Sequence, residues 1–134
     1  MAAQPGPAAL LPLAGTSWEL VRFRSMDDAQ GTIEIDDPTL YSVGFGTDGR
    51  ATLRLNCNRA QGPWQATTAS DGISGTLRFG LMAGTRALCP PPSLDERLLG
   101  DLEFVRGYLL HDGMLHMSLM ADAGIYSWRP ARTR

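Results

Sequence analysis

The side chains best suited to chemistry in this chain are two cysteines and two histidines, Cys57, Cys89, His111 and His116. Such a set could bind zinc, or a cysteine and a histidine could form a nucleophilic site. The cysteines lie too far apart for a zinc-finger spacing, and neither stands at a helix start that would lower a thiol pKa. We place His111 at a hairpin turn and expect His116 to face solvent. We therefore expect no catalytic residue, no metal and no cofactor.

The surroundings of the two cysteines favour a disulfide. Cys57 ends a strand-like run, and Cys89 precedes three prolines and a helix start. A bond between them would close a loop of about 33 residues and add roughly 3–4 kcal/mol of stability. It would also indicate an oxidising compartment. Two buried free thiols are the alternative, and they would fit an intracellular domain.

Composition indicates one globular domain and excludes several functions. The 134 residues are 43% hydrophobic, which suits a single packed core. A net charge of −2 gives no electrostatic case for nucleic acid. No apolar run is long enough to cross a bilayer. The acidic pairs Asp27-Asp28 and Asp36-Asp37 are expected in turns, and the chain has neither a phosphate-binding loop motif nor a nucleophile elbow.

The ends of the chain differ from the middle. Residues 1–15 are rich in Ala and Pro and are predicted to be a flexible spacer. They resemble the stretch that follows a signal peptide, so we expect that the peptide itself is absent from this sequence. Residues 16–130 are predicted to form the domain, and residues 131–134 a tail.

Three Asp-Gly pairs predict hairpins, because both residues tolerate positive φ. At Asp48-Gly49, a three-residue loop pairs Phe45 with Ala51 and keeps one face apolar. At Asp71-Gly72, a two-residue loop pairs Trp64 with Phe79. At Asp112-Gly113 the pattern favours no loop length. Further strands are predicted at Ser17–Arg24, around residues 33–35, along Leu115-Met117-Leu119 and at Ile125–Arg129.

One helix is predicted at about residues 93–107. Ser93 and Glu96 have the spacing of a capping box, and Gly107 is expected to end the helix. One apolar stripe follows the helical period: Leu94, Leu98, Leu102, Val105 and Leu109. The predicted fold is α+β, a curved, partly barrel-like antiparallel sheet with a single α-helix. The core is expected to include Trp18, Trp64, Tyr108, Tyr126 and Trp128.

The order and spacing of several short motifs resemble the META domain, the family of the heat-shock protein HslJ. The resemblance runs from Leu13-Ala14-Gly15-Thr16-Ser17-Trp18-Glu19-Leu20 to the end of the last predicted strand and includes Asn56-Cys57-Asn58-Arg59. The residues that match its motifs, which we expect to be structural, are Trp18, Asp48, Gly49, Asn56, Asn58, Gly62, Thr85, Arg86 and Glu96. The family usually has Gly before the cysteine. Here Asn56 stands in that position, and Asn is the next best residue at positive φ.

The resemblance implies a small bacterial envelope protein with no assigned catalytic residues. Members are often periplasmic proteins or lipoproteins, linked to heat shock and drug tolerance, and their fold is similar to that of secretion pilotins. We expect a non-enzymatic domain in the periplasm or at the outer membrane, monomeric, that binds an unknown protein partner. Contact with the membrane would be peripheral, through a lipid anchor. The alternatives are a carrier of a lipid or other apolar ligand in a helix–sheet cleft, and an uncharacterised hydrolase.

Overall fold

The structure is a computed structural model that describes residues 12–26 and 31–131. This part of the chain contains ten strands, one α-helix and three 3-10 helices, the last at Pro38–Leu40, Leu102–Phe104 and Met120–Asp122. The strands and the α-helix are, in chain order, β1 (Thr16–Ser25), β2 (Thr32–Glu34), β3 (Tyr41–Phe45), β4 (Arg50–Leu55), β5 (Asn58–Thr68), β6 (Ser74–Phe79), β7 (Ala83–Gly84), α1 (Asp95–Asp101), β8 (Val105–His111), β9 (Met114–Leu119) and β10 (Gly124–Pro130).

Eight of these strands close an antiparallel barrel. Their order is β10-β9-β8-β6-β5-β4-β3-β1, and β1 closes the circle by pairing with β10. The short strands β2 and β7 attach to β1 and β5. Closure removes the sheet edges that would otherwise attract other chains. The predicted class, an α+β fold with a barrel-like antiparallel sheet and one helix, is confirmed.

The hairpin registers follow the apolar alternation. Phe45 lies opposite Ala51, as the three-residue loop requires. Trp64 lies opposite Phe79, which is the predicted pairing around Asp71-Gly72. The third turn, which the pattern left open, has two residues: Asp112 and Gly113 have φ of 54° and 76°. Positive φ at both positions is the requirement of a type I′ hairpin turn.

The barrel interior is filled by side chains. The five predicted core aromatics are buried, and Phe45 contacts both Trp64 and Phe79 in the same cluster. The helix closes one end, where Leu98 and Leu102 are buried among the strand residues. The interior is therefore a packed core.

The predicted helix is too long. The α-helix ends at Asp101, a 3-10 turn follows, and β8 begins at Val105. Gly107 does not end a helix but lies inside β8, where an added Cβ would be 3.1 Å from Ser118 Oγ and 3.2 Å from a backbone oxygen of β6. A short apolar run fits both the helical and the strand period. Here the segment forms a strand because β8 pairs with β6 and with β9. Leu109 consequently leaves the predicted stripe and is half-exposed.

The predicted capping box does not form either. Leu94 occupies the N-cap position and makes no side-chain capping hydrogen bond, although the Asp95 amide donates to Ser93 Oγ at 3.3 Å. The Ser93 hydroxyl instead accepts a hydrogen bond from Asn56 Nδ2 at 3.0 Å and donates one to Asp95. Ser93 thus links the helix start to Asn56 next to the sheet. The capping-box pattern considers only residues within the helix start, so it could not predict this contact.

The fold begins before the predicted boundary at Thr16. Residues 12–15 belong to a turn, and Leu13 in it is fully buried. The Gly15 amide donates to the Phe45 carbonyl at 2.7 Å, which ties this turn to β3. Residues 1–11 of the predicted spacer, Asp27-Asp28 and the last three residues of the tail lie outside the described part of the chain.

Candidate functional site

Asn58, at the start of β5, lies at the centre of a hydrogen-bond network. Asn58 is 2% exposed. Its Nδ2 donates to the Ala87 carbonyl at 2.8 Å and to Asp95 Oδ2 at 2.9 Å. Its Oδ1 accepts from Thr85 Oγ1 at 2.8 Å and from the Ala87 amide at 2.7 Å. One amide side chain thus fastens the segment before the helix, and the helix start itself, to the sheet.

The disulfide lies beside this amide. Cys57 and Cys89 are bonded, with Cα atoms 5.6 Å apart. Asn56, directly before Cys57, has φ of 63°, which is the left-handed region that Asn tolerates better than most residues other than Gly. The bond and Asn58 together fix residues 85–89 at the end of the barrel. We call this group, Cys57, Asn58, Thr85, Cys89 and Asp95, the anchor cluster.

Electrostatics in the anchor cluster point to a structural role. Partial burial of the Asp95 carboxyl opposes ionisation, but hydrogen bonds from Ser93 and Asn58 outweigh it and hold the pKa of Asp95 below its usual value. Asp95 is thus an ionised acceptor and not a proton donor at neutral pH. The polar atoms of the cluster satisfy one another, which is how a network rigidifies a fold.

The remaining motif residues lie at separate places. Trp18 Nε1 donates to Thr16 Oγ1 at 2.8 Å, and Asp48 Oδ1 accepts from the Arg50 amide at 3.0 Å. Gly49 has φ of 85° in the β3–β4 turn. At Gly62, an added Cβ would be 2.5 Å from the Leu81 carbonyl oxygen. Arg86 and Glu96 are both exposed and line one groove beside the helix.

The histidines do not converge on a reactive site. His111 is exposed at the β8–β9 turn, with Nε2 3.2 Å from Asp112 Oδ2. His116 was expected in solvent but is half-buried, with Nδ1 2.8 Å from Ser127 Oγ. Burial lowers the pKa of His116, and the nearby His111 lowers it further. Within residues 12–26 and 31–131, no three His, Cys, Asp or Glu side chains are grouped so as to hold a metal.

The cleft expected for an apolar ligand is largely closed. Leu98, Leu102 and Val105 of the predicted stripe are buried in the core, and Leu94 packs partly against it. What remains is an open groove of about 500 Å³ between α1 and the chain after β6. We call it the helix groove. Its lining includes Leu81, Met82, Arg86, Glu96, Leu99 and Glu103.

Two leucines, one on the groove wall and one two residues after its lining residue Arg86, are the most exposed large apolar residues in the described chain. Leu81, on the groove wall, is 93% exposed, and Leu88, next to the disulfide, is 96% exposed. Sequence reasoning missed both. The available signal was their position in a Gly- and Pro-rich stretch, outside any alternating strand and before the helical stripe.

Fold and site together define a small, disulfide-bonded antiparallel barrel whose end is closed by one helix and whose polar motif residues anchor a loop. Among the described residues, no helix is long and apolar enough to cross a membrane. The META domain family model matches residues 11–128, so this chain belongs to the META domain family.

A solved structure has a similar fold. The crystal structure of a DUF4847 family protein from Bacteroides vulgatus ATCC 8482 aligns with a TM-score of 0.58 and 14% sequence identity. The alignment covers 91% of this chain and 96% of that one, so the likeness concerns the whole fold. No curated protein matches the sequence.

Proposed function

We propose that this META domain is a non-enzymatic extracytoplasmic protein that binds a partner protein at the helix groove. The observation that carries the proposal is the exposure of Leu81 and Leu88 on an anchored backbone. Single exposed leucines are common on proteins. These two are held in place, since the Gly80 amide before Leu81 donates to the Pro63 carbonyl at 2.9 Å, and Leu88 lies between Ala87 and the disulfide.

An anchored backbone loses little freedom on binding, so the entropy cost of burying each leucine is limited to its side-chain rotamers. Burying one leucine is worth about 1.5–3 kcal/mol. Leu81 on the groove wall, together with Leu88 two residues after the lining residue Arg86, could thus supply the apolar centre of a modest interface.

The charges around the helix groove favour a protein segment as the ligand. Arg86 lies on one side, and Glu96 and Glu103 on the other. An anionic lipid surface would be attracted by Arg86 but repelled by both carboxylates. A short apolar segment of a protein, with charged or polar flanks, can satisfy both signs. The apolar stripe of the helix is buried in the core, so it gives no support to a carrier of an apolar ligand. The polar groups of the anchor cluster are bonded to one another, so they give no support to a hydrolase.

The disulfide supports an extracytoplasmic location, because such bonds persist mainly in oxidising compartments. Alkylation of intact cells without reductant tests it. We expect no free thiol at Cys57 or Cys89. Two alkylated thiols would reject the location.

The partner is tested by photo-crosslinking in cells with a reactive side chain at position 81 or 88. Position 73 is the control, since Ile73 is exposed at a distant hairpin. We expect one discrete adduct at 81 and 88 only. The protein found there is then purified, and its affinity is measured for Leu81→Ser and Ile73→Ser. A loss of about tenfold or more in Leu81→Ser alone supports the proposal. Equal adducts at all three positions, an adduct of the chain with itself, or unchanged affinity in Leu81→Ser would reject it.

A further inference from the structure

A second concave surface lies on the outside of the barrel, away from the helix groove. It has a volume of about 800 Å³ and crosses strands β1, β3, β4 and β5. We call it the outer trough. Its wall is partly apolar, and its polar groups are hydroxyls, an amide and guanidinium groups from Ser17, Ser42, Thr52, Arg54, Arg59 and Gln61, beside the Glu19 carboxylate.

Strand register places charged side chains in one row across the trough. Arg129 lies opposite Glu19, Glu19 opposite Ser42, Ser42 opposite Arg54, and Arg54 opposite Arg59. At one end of the row, Arg129 donates from Nε and Nη2 to Glu19 Oε1 at 3.1 and 3.0 Å. That pair is neutral, so the uncompensated charge of the row lies on Arg54 and Arg59.

The two arginines are direct cross-strand neighbours of like charge, an arrangement that destabilises a sheet. Among the described residues, neither makes an ion pair within 4.0 Å. Arg54 Nε donates to the Asn56 carbonyl at 3.2 Å, which orients its guanidinium. The Thr39 hydroxyl and amide lower the pKa of the Asp37 carboxyl most, and Arg54 lowers it further by its charge, without an ion pair between the two.

Backbone contacts hold both arginines in register. The Arg59 amide donates to Thr85 Oγ1 at 3.0 Å, so its strand is tied to the anchor cluster. On the floor of the trough, Gly44 has no side chain, and two hydroxyls flank the place that a Cβ would take. A Cβ at Gly44 would be 3.3 Å from both Ser17 Oγ and Thr52 Oγ1. A ligand can therefore lie against the sheet beside the two guanidinium groups.

We propose that Arg54 and Arg59 form a binding site for the phosphate group of a ligand that lies in the outer trough. Guanidinium groups match phosphate oxygens in geometry and charge, and two of them balance a dianionic group. The neighbouring hydroxyls of Ser42 and Thr52 can donate to further oxygens. The phosphate can belong to a soluble phosphate ester or to the headgroup of an anionic lipid, since both present the same oxygens.

The test uses the full chain, labelled with ¹⁵N and observed at the arginine Nε–H groups. Inorganic phosphate and glycerol 3-phosphate are the soluble probes. We expect saturable shifts of the Arg54 and Arg59 signals. Arg59→Gln should weaken binding about tenfold or more, because a charge-assisted pair is lost. Arg24→Gln makes the same change of net charge at an exposed site of β1 outside the trough and should leave the affinity within about twofold.

Vesicles of phosphatidylglycerol and of phosphatidylcholine distinguish the two sources. Flotation with phosphatidylglycerol alone, lost in Arg59→Gln, assigns the site to a lipid headgroup. Binding of the soluble probes without flotation assigns it to a phosphate ester. The proposal is overturned if neither soluble probe gives saturable shifts up to about 10 mM and phosphatidylglycerol vesicles do not float the protein, or if Arg24→Gln and Arg59→Gln weaken binding equally. Phosphate should also raise the Tm of the native protein and leave that of Arg59→Gln unchanged.

Discussion

Replacing Asn58 by alanine should be among the most destabilising single substitutions in this domain. The side chain makes four hydrogen bonds of 2.7–2.9 Å to Thr85, Ala87 and Asp95 while 2% exposed. Each bond contributes about 1 kcal/mol, and leaving the Ala87 amide and carbonyl without partners adds a further penalty. We expect a loss of about 4 kcal/mol, a large share of the roughly 5–15 kcal/mol that stabilises a domain.

Urea unfolding without reductant measures this loss, since the disulfide stays closed in all variants. Gln61→Ala is the matched control, because Gln61 lies on the same strand but is exposed. It should change the free energy of unfolding by about 0.5 kcal/mol or less. A loss below about 1 kcal/mol in Asn58→Ala, or an equal loss in both, would refute the reasoning.

Asn58→Asp sharpens the same prediction by replacing only the donor. The new carboxylate would face the Ala87 carbonyl and the Asp95 carboxylate, so like charges would raise its pKa in the folded state. The destabilisation should therefore be present at neutral pH and be relieved as the pH falls through that raised value. Asn58→Ala should show no such recovery.

Three further predictions concern the disulfide, two glycines and a histidine. Because 32 positions separate Cys57 from Cys89, Cys57→Ser with Cys89→Ser should lower the free energy of unfolding by about 4 kcal/mol; urea unfolding measures it, and a loss below about 1 kcal/mol would contradict it. Gly62→Ala places a Cβ 2.5 Å from a backbone carbonyl oxygen and should destabilise the fold by about 1–3 kcal/mol. Gly100→Ala meets open space in α1 and should stabilise the fold by about 0.5–1 kcal/mol. A higher Tm for Gly62→Ala than for Gly100→Ala would reject the packing argument. His116 has a lowered pKa in the folded state, so the unfolded chain binds its proton first and stability should fall as the pH drops below about 6.5, levelling off below the folded pKa. His116→Gln should remove this slope from a Tm series between about pH 8 and 5, and an NMR titration that places the pKa of His116 at or above 6.5 would disprove the cause.

The hairpins were predictable because their information is local. An Asp-Gly pair sets the turn, and apolar alternation on both sides chooses the register, as at Phe45 and Ala51. The closing pair of the barrel is different. Trp18 lies opposite Pro130, at the other end of the domain, and no local pattern specifies that partner. Curvature was predictable from the number of strands, whereas the closing register depends on the packed interior as a whole.

The end of the helix was not predictable because its sequence fits two periods. Leu98, Leu102 and Val105 are all buried, as a helical stripe requires, yet Val105 belongs to a strand. The pairing of β8 with two neighbours outweighs a local preference for helix. The composition of residues 105–110, with Val and Tyr around Gly107, was the signal for strand that periodicity concealed.

The candidate surfaces were predictable only in part. The sequence contexts of Cys57 and Cys89 indicated their bond, since a disulfide needs little beyond proximity. The Gly- and Pro-rich stretch around Leu81 was a signal for its exposure, but the path by which the chain leaves β6 toward the helix groove depends on the closed barrel. The pairing of Arg54 with Arg59 follows from a tight β4–β5 turn, but their lack of an acidic partner depends on where Glu19 and Asp37 lie in the closed barrel.

The disulfide has two effects, one on the stability of the fold and one on the position of Leu88, and measurements of partner binding can distinguish them. In the unfolded chain it removes loop entropy, and this raises stability wherever the bond lies. In the folded chain it fixes Leu88, which adjoins Cys89, whereas Leu81 is held independently by the pairing of β7 with β5 and by the Gly80 amide. Breaking the bond should therefore reduce crosslinking from position 88 more than from position 81, even under conditions in which the protein stays folded. If both positions lost contact equally in the folded protein, the groove would depend on the whole anchor cluster, and Asn58→Ala should then abolish binding as completely as reduction does.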